Sequence, residues 1–283
     1  MSLTLMYITN NPAIAEVAQK AGVDRIWIDM EYIGKEERQA GMNTVKSSHT
    51  IDDIKKIRPV VTSSELMVRV NPIHNASPYY CSSQEEIEEV IQSGADVVML
   101  PMFRESSEVE KFVEYVNGRA KTILLVETAE AVSNIDEILE VEGIDEIHIG
   151  LNDLHLAYNK KFMFELVCDG TVENLCKKFK NKNIKYGFGG IARIGYGMLP
   201  AEYVIAEHYR LGSTAAILSR AFCNANIITN PNDVEAVFID GIKNIRKREF
   251  EVSQYSTAEY QNNHNLIQKR VDEVIRELRR GSK

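Results

Sequence analysis

Residues 93–102 read Ser-Gly-Ala-Asp-Val-Val-Met-Leu-Pro-Met. A glycine that can end a helix is followed, two residues on, by an unbroken apolar run. The junction recurs at Ala21-Gly22-Val23-Asp24 and at Glu142-Gly143-Ile144-Asp145. Runs without alternation, such as Ile123-Leu124-Leu125-Val126, suit parallel strands covered on both faces. Outward from these, strands are expected at 3–8, 25–30, 66–70, 97–102, 122–126, 146–150, 185–189 and 215–219. Helical spacing occupies 14–21, 51–57, 84–93, 107–117, 132–141, 172–180 and 201–211. Strict βα alternation leaves a doubly wound sheet or a (β/α)8 barrel, and the strand count favours the barrel. The expected fold class is therefore α/β, a TIM (β/α)8 barrel over residues 1–250 with an additional C-terminal helix within 251–283.

The 283 residues suffice for a buried core, and 44% of them are hydrophobic. Acidic side chains number 41 against 33 basic, a net charge of −8. That balance supplies no basic excess to displace counterions, so no nucleic-acid partner is expected. The densest basic stretch, 243–248, includes Ile245 and is followed by Glu249 and Glu251, which suits a solvated helix face. No apolar run approaches the roughly 18 residues of a membrane span. The first eight residues lack the basic start and cleavage site of a signal peptide. Cys81, Cys168, Cys176 and Cys223 form no CxxC pair. A reduced, soluble, cytoplasmic protein is the expectation.

Two connections are long, 31–50 and 153–170, and both read as irregular. Loops of that length usually carry function. After the last strand a helix is expected at about 232–250, then a final one with Tyr260, Ile267, Val271, Val274 and Leu278 on one stripe. That stripe needs a partner surface, either the barrel's own helices or another subunit.

In a barrel of this kind, chemistry belongs at the C-terminal strand ends. There the sequence places Asp29-Met30-Glu31-Tyr32, Arg69-Val70-Asn71-Pro72, Glu127-Thr128, Gly150-Leu151-Asn152-Asp153 and Gly187-Phe188-Gly189-Gly190. Glu127 and Asp153 come from neighbouring strands, so their carboxylates can converge on one hard cation whose remaining positions go to water and substrate oxygens. Alternatively Asp153 caps a helix and Glu127 pairs with Arg69. The paired glycines 189–190 either allow a tight turn or let backbone approach a ligand. His148, inside a strand, reads as a packed core residue; His155 reads as a loop residue, and His208 as facing a neighbouring element.

These residues resemble the HpcH/HpaI aldolase and citrate-lyase β-subunit family of the phosphoenolpyruvate/pyruvate superfamily. The similarity runs through Asp29-Met30-Glu31, Val68-Arg69-Val70-Asn71-Pro72, Leu100-Pro101-Met102 and Val126-Glu127-Thr128 to Ile149-Gly150-Leu151-Asn152-Asp153-Leu154. The resemblance implies a divalent metal held by Glu127 and Asp153, for which Mg²⁺, Mn²⁺ and Co²⁺ all suit. It implies a small 2-oxo-acid substrate whose carboxylate meets the backbone of Gly150, Leu151, Asn152 and Asp153, and whose keto oxygen meets Arg69. Two fixed positive groups would then stand where enolate charge develops. It also implies a homo-oligomer, with the C-terminal helix as a subunit contact. Three positions depart from the pattern: Tyr32 replaces a histidine, Leu125 a glutamine and Leu151 a proline. A tyrosine, with an ordinary pKa of about 10, is a poor base near neutral pH. The function so implied is a metal-dependent lyase (class II-type aldolase) cleaving a 2-oxo-4-hydroxy acid to pyruvate, or a close analogue, plus an aldehyde. The alternatives are citryl-CoA-lyase-like cleavage and a non-catalytic barrel that binds metal and 2-oxo acid.

Overall fold

The computed structural model describes residues 2–35, 49–224, 228 and 230–281, so positions 36–48 of the expected 31–50 loop lie outside it. Eight parallel strands close into a barrel in sequence order, with β1 paired to β8. They are β1 Thr4–Ile8, β2 Arg25–Asp29, β3 Glu65–Arg69, β4 Val97–Leu100, β5 Lys121–Val126, β6 Glu146–Ile149, β7 Lys185–Ile191 and β8 Ala215–Leu218. The TIM-barrel expectation holds, as does the additional C-terminal helix. The surrounding helices include α1 Pro12–Ala21, α2 Ile51–Ile57, α3 Ser83–Gln92 and α4 Ser106–Val116.

Two sequence readings are corrected. Where one helix was expected over 132–141, the chain forms α5 Ala129–Ser133 and α6 Ile135–Ile138, with Asn134 breaking the helical path between them. The supposedly irregular 153–170 stretch contains two short helices, α7 Leu151–Ala157 and α8 Glu165–Cys168. Pieces this short span too few turns to display a helical period.

Beyond them lie α9 Thr171–Asn181, α10 Ala201–Leu211, α11 Pro231–Val252 and α12 Thr257–Gly281. On α12, Ile267, Val271 and Val274 are buried against this chain's own barrel, where the helix packs on α10 and α8. Burial of each aliphatic side chain contributes roughly 1.5–3 kcal/mol. Asn263 Nδ2 donates to the Tyr203 carbonyl at 3.0 Å, and His264 Nδ1 lies 2.9 Å from Glu207, fixing the helix register.

Alternation along each strand divides its side chains between two cores. Ile26, Ile28, Leu66, Val68, Leu124 and Val126 face the helices. Met6, Trp27, Met67, Val97, Ile123 and Leu125 fill the barrel. Below and above that apolar plug the same inward rows end in charges: Arg25, Glu65 and Glu146 at the N-terminal mouth, Asp29, Arg69 and Glu127 at the C-terminal one.

His148 and His208 are fully buried, as the core reading of His148 expects. His148 Nε2 lies 3.0 Å from the Gly189 carbonyl, and the His208 ring stacks on Phe188 at 3.9 Å with Nδ1 2.8 Å from Ser213 Oγ. Burial pushes their pKa values down to about 4 and about 3. A histidine depressed in the fold is protonated first in the unfolded chain. Its stabilisation is therefore full above the unfolded pKa, near 6.5, and falls as pH drops toward the folded value. The two together are expected to remove on the order of 3–4 kcal/mol between pH 7 and pH 5. Urea midpoints at both pH values should show the loss, and His208→Phe, which keeps the stacked ring, should shrink it. Equal midpoints at pH 7 and pH 5 would contradict this account.

Candidate active site

Asp29 ends β2 and Arg69 ends β3, and the register sets them opposite each other. Arg69 Nε donates to Asp29 Oδ1 at 2.7 Å and Nη2 to Asp29 Oδ2 at 2.8 Å, a two-point clamp of planar groups. Nη2 also lies 3.2 Å from Glu31 Oε2. Lys35 Nζ completes the group, 2.8 Å from Asp29 Oδ2 and 3.7 Å from Glu31. Arg69 sits over the Trp27 ring, its guanidinium carbon 5.1 Å from the centroid. The Arg69 and Lys35 charges hold the Asp29 carboxyl far below the ordinary carboxylate range, although burial opposes them. Its carboxylates in turn hold Arg69 firmly protonated against burial. Arg69 Nη1 makes no hydrogen bond among the described residues and is the donor left for a ligand.

The sequence alternative that pairs Arg69 with Glu127 is replaced by this arrangement. Glu127 acts on Arg69 through its charge, while the direct partners are Asp29 and Glu31. Glu127 follows β5, is 3% exposed, and accepts the Met102 amide at 3.3 Å. Met102 itself has φ of 55°, a conformation a non-glycine residue adopts at a cost and holds here in contact with Glu127.

Val126 pairs with Ile149, so Glu127 stands beside Gly150. A Cβ on Gly150 would come within 2.7 Å of Glu127 Oε2 and 2.8 Å of its Cβ. Only glycine lets the start of α7 approach that carboxylate. Leu151, Asn152 and Asp153 form the first turn of α7, where amides have no acceptor within the helix and favour an anion. Asp153 lies in that turn, three residues beyond the Gly150 that Glu127 approaches. Gly189, with φ of +51°, leaves room for the Leu151 side chain, which would lie 2.6 Å from an added Cβ. His155 rides on α7 rather than on a loop, its Nδ1 3.1 Å from the Leu151 carbonyl.

Tyr32 stands apart from Arg69. It is 51% exposed and edges the Tyr80 ring at 6.2 Å across a cleft of about 500 Å³. Partial burial raises its phenol above the ordinary value, so it remains protonated near neutral pH. The same cleft is lined by Glu31, Lys35 and His49. Of these, Lys35 and His49 escaped the sequence reading, and so did the role of Asp29 as clamp of Arg69. The signal for Asp29 was present in the inward alternation Arg25-Trp27-Asp29-Glu31. For His49 there was none, because it reaches the site from the far end of the long connection. Its Nδ1 accepts the Asp29 amide at 3.0 Å, which leaves the proton of a neutral ring on Nε2. Burial lowers its pKa below the ordinary histidine value, favouring that neutral form.

Among the described residues no three histidine, cysteine or carboxylate side chains are grouped to enclose a metal. Glu127 and Asp153 are side chains of the kind a hard divalent ion uses, one or two at a time, when water and substrate oxygens complete its shell. Among the described residues, Asp29 and Glu31 pair with Arg69 and Lys35 at this end of the barrel.

With this geometry in place, three comparisons bear on the chain. The family model described as HpcH/HpaI aldolase/citrate lyase matches residues 3–162, a span holding Arg69, Glu127 and Asp153. The 2-keto-3-deoxy-L-rhamnonate aldolase of Escherichia coli (strain K12) is 23% identical over 171 residues, 50% of this chain and 56% of that protein. The chain thus spans about half the length of the curated relatives it matches. A HpcH/HpaI aldolase/citrate lyase family protein from Burkholderia cenocepacia J2315 shares the fold at a TM-score of 0.62, with 13% identity over 82% of this chain and 95% of that one. The citrate synthase SbnG does so at 0.59, with 17% identity over 83% and 94%. No helix among the described residues is long and apolar enough to cross a membrane. Since the matched span takes in more than half of the sequence and every strand-end group from Asp29 to Asp153, the chain belongs to the HpcH/HpaI aldolase/citrate lyase family.

Proposed function

We propose that this protein is a divalent-metal-dependent carbon–carbon lyase that cleaves a 2-oxo-4-hydroxy acid to pyruvate, or a close analogue, plus an aldehyde. The carrying observation is the buried Arg69 clamp, which leaves one face of a guanidinium for a ligand beside Glu127. In the reaction the C3–C4 bond breaks and its electron pair moves toward the 2-oxo group. The 4-hydroxyl loses its proton as the aldehyde forms, and C3 takes up a proton to become the methyl group. Arg69 Nη1 donates to the 2-oxo oxygen, where negative charge grows. The first-turn amides of α7 receive the carboxylate. Glu127 and Asp153 would hold the cation, which when bound would supply Lewis-acid stabilisation of the developing negative charge. Asp29, Glu31 and Lys35 keep Arg69 from turning away. His49 offers a neutral N–H on the cleft side, and Tyr32 a protonated hydroxyl, so both serve as donors. The reading extends to a homo-oligomer using residues 251–283 as a contact, which light scattering on the purified protein decides.

The reverse half-reaction tests the chemistry without knowledge of the aldehyde. With Mg²⁺ in D₂O, the pyruvate methyl signal is expected to exchange. Exchange should vanish on chelation and fall by about 10²-fold or more in Asp153→Ala, in keeping with loss of a group that stabilises developing charge. Pyruvate that binds in the presence of Mg²⁺ without any exchange would defeat the lyase reading and leave a binding barrel.

A further inference from the structure

The cleft beside the clamp has a composition that the 2-oxo acid does not explain. Its inner wall is the outer face of the Arg69 group, through Glu31, Lys35 and His49. Its outer wall is aromatic. Ser77 and Tyr80 close a tight turn between β3 and α3, and Tyr79 at its tip is 92% exposed. Tyr80 meets Tyr32 edge-on at 6.2 Å and His74 edge-on at 5.2 Å, so the rings form a standing wall instead of a collapsed stack. Large exposed rings gathered at a concave surface mark a recognition site more often than a solvated face.

Glu86 supplies the polar feature. It opens α3 and is 6% exposed, yet it forms part of the cleft wall. Its Oε1 accepts from the Asn71 amide at 3.2 Å and from Asn71 Nδ2 at 2.8 Å. Its buried Oε2 has no partner among the described residues. Such an oxygen is costly to leave unmatched and calls for a ligand group. Burial also raises the Glu86 carboxyl above its ordinary value. A hydroxyl suits it in either protonation state, because a hydroxyl both donates and accepts.

We infer that this cleft is the subsite for the aldehyde half of the substrate, and that it takes a flat aromatic aldehyde carrying a ring hydroxyl. The inference rests on the lyase reading above and specifies its second product. The ring lies against Tyr32 and Tyr80, the hydroxyl reaches Glu86, and the carbonyl carbon faces inward toward the Arg69 group. A cleft of about 500 Å³ is far larger than a two- or three-carbon aldehyde needs and has ample room for one substituted ring.

The test runs the full-length protein with Mg²⁺ in the condensation direction, offering pyruvate with 4-hydroxybenzaldehyde, benzaldehyde or glyceraldehyde. The expected kcat/KM for 4-hydroxybenzaldehyde exceeds that for glyceraldehyde by tenfold or more. Tyr80→Ala should abolish that preference, and Glu86→Met, which leaves no hydrogen-bonding oxygen in the wall, should erase the advantage of 4-hydroxybenzaldehyde over benzaldehyde, with pyruvate methyl exchange unchanged in both variants. A direct readout uses 4-hydroxybenzyl alcohol as probe, followed by ligand-observed NMR, with its signal lost in Tyr80→Ala. Methyl exchange without aromatic preference, or a preference that both variants keep, overturns the subsite and leaves the lyase reading standing. Absent exchange with Tyr80-dependent binding of the probe overturns the lyase reading and leaves an aromatic site.

Discussion

Arg69→Lys is expected to retain the fold and to lose pyruvate methyl exchange by about 10²–10³-fold, the range found when one preorganised donor to a developing oxyanion is removed. Lysine keeps the charge that Asp29 and Glu31 require, but it cannot hold Asp29 at two points and still present a donor outward. In the native arrangement Nε and Nη2 face the protein and Nη1 remains. An ammonium long enough to reach Asp29 is drawn into the pocket beside Lys35 and away from the ligand. Arg69→Met is the contrasting case. It takes the guanidinium away from Asp29 and Glu31, both 2% exposed, and breaking a buried pair in this way costs about 3–5 kcal/mol. Exchange rates per folded molecule, read beside urea midpoints, separate the two effects. Wild-type exchange in Arg69→Lys would show that the guanidinium has no part in the chemistry.

The positions of Arg69, Glu127 and Asp153 were legible in the sequence because each stands where an apolar run ends, and a barrel fixes what a strand end means. Their partners were not. Asp29 meets Arg69 only because β2 and β3 pair in one register, and a shift of one residue would turn every side chain to the other face. A single chain carries no direct record of that register. His49 illustrates a second limit. It returns to the Asp29 backbone from 20 residues away, and no local pattern encodes that approach. The helices α5 and α6, of five and four residues, were read as one, and α8, of four, as irregular chain, for a third reason. The shorter two complete barely one turn, so their apolar residues cannot repeat. What the alternation did encode was the inward row on each strand, and with it the division of the barrel into a charged floor, an apolar plug and a charged rim.

That division makes the floor a control for the rim. Arg25 is 3% exposed at the N-terminal mouth, with Nε 2.7 Å from Glu65 and both terminal nitrogens 2.7 Å from Glu146. Lys121 also binds Glu65. The group resembles the Arg69 cluster in kind, a guanidinium forked onto carboxylates across strands, yet it lies at the barrel end that carries stability. Arg25→Met is expected to cost about 3 kcal/mol, at the lower end for a broken buried pair because Lys121 still compensates Glu65 and both carboxylates reach some solvent. In a chain of this size that corresponds to a fall in Tm of roughly 6–12 °C. Arg25→Met combined with Glu65→Gln and Glu146→Gln should recover most of the loss, since a neutral set strands no charge. Through all of this, exchange per folded molecule is expected to stay within about twofold of wild type, because the Met67, Val97 and Ile123 layer separates the two clusters. A floor substitution that suppressed exchange while leaving the urea midpoint in place would show the two ends to be coupled through that layer. Loss of stability with exchange intact would instead fix the chemistry at the rim, where Arg69 has a donor to spare.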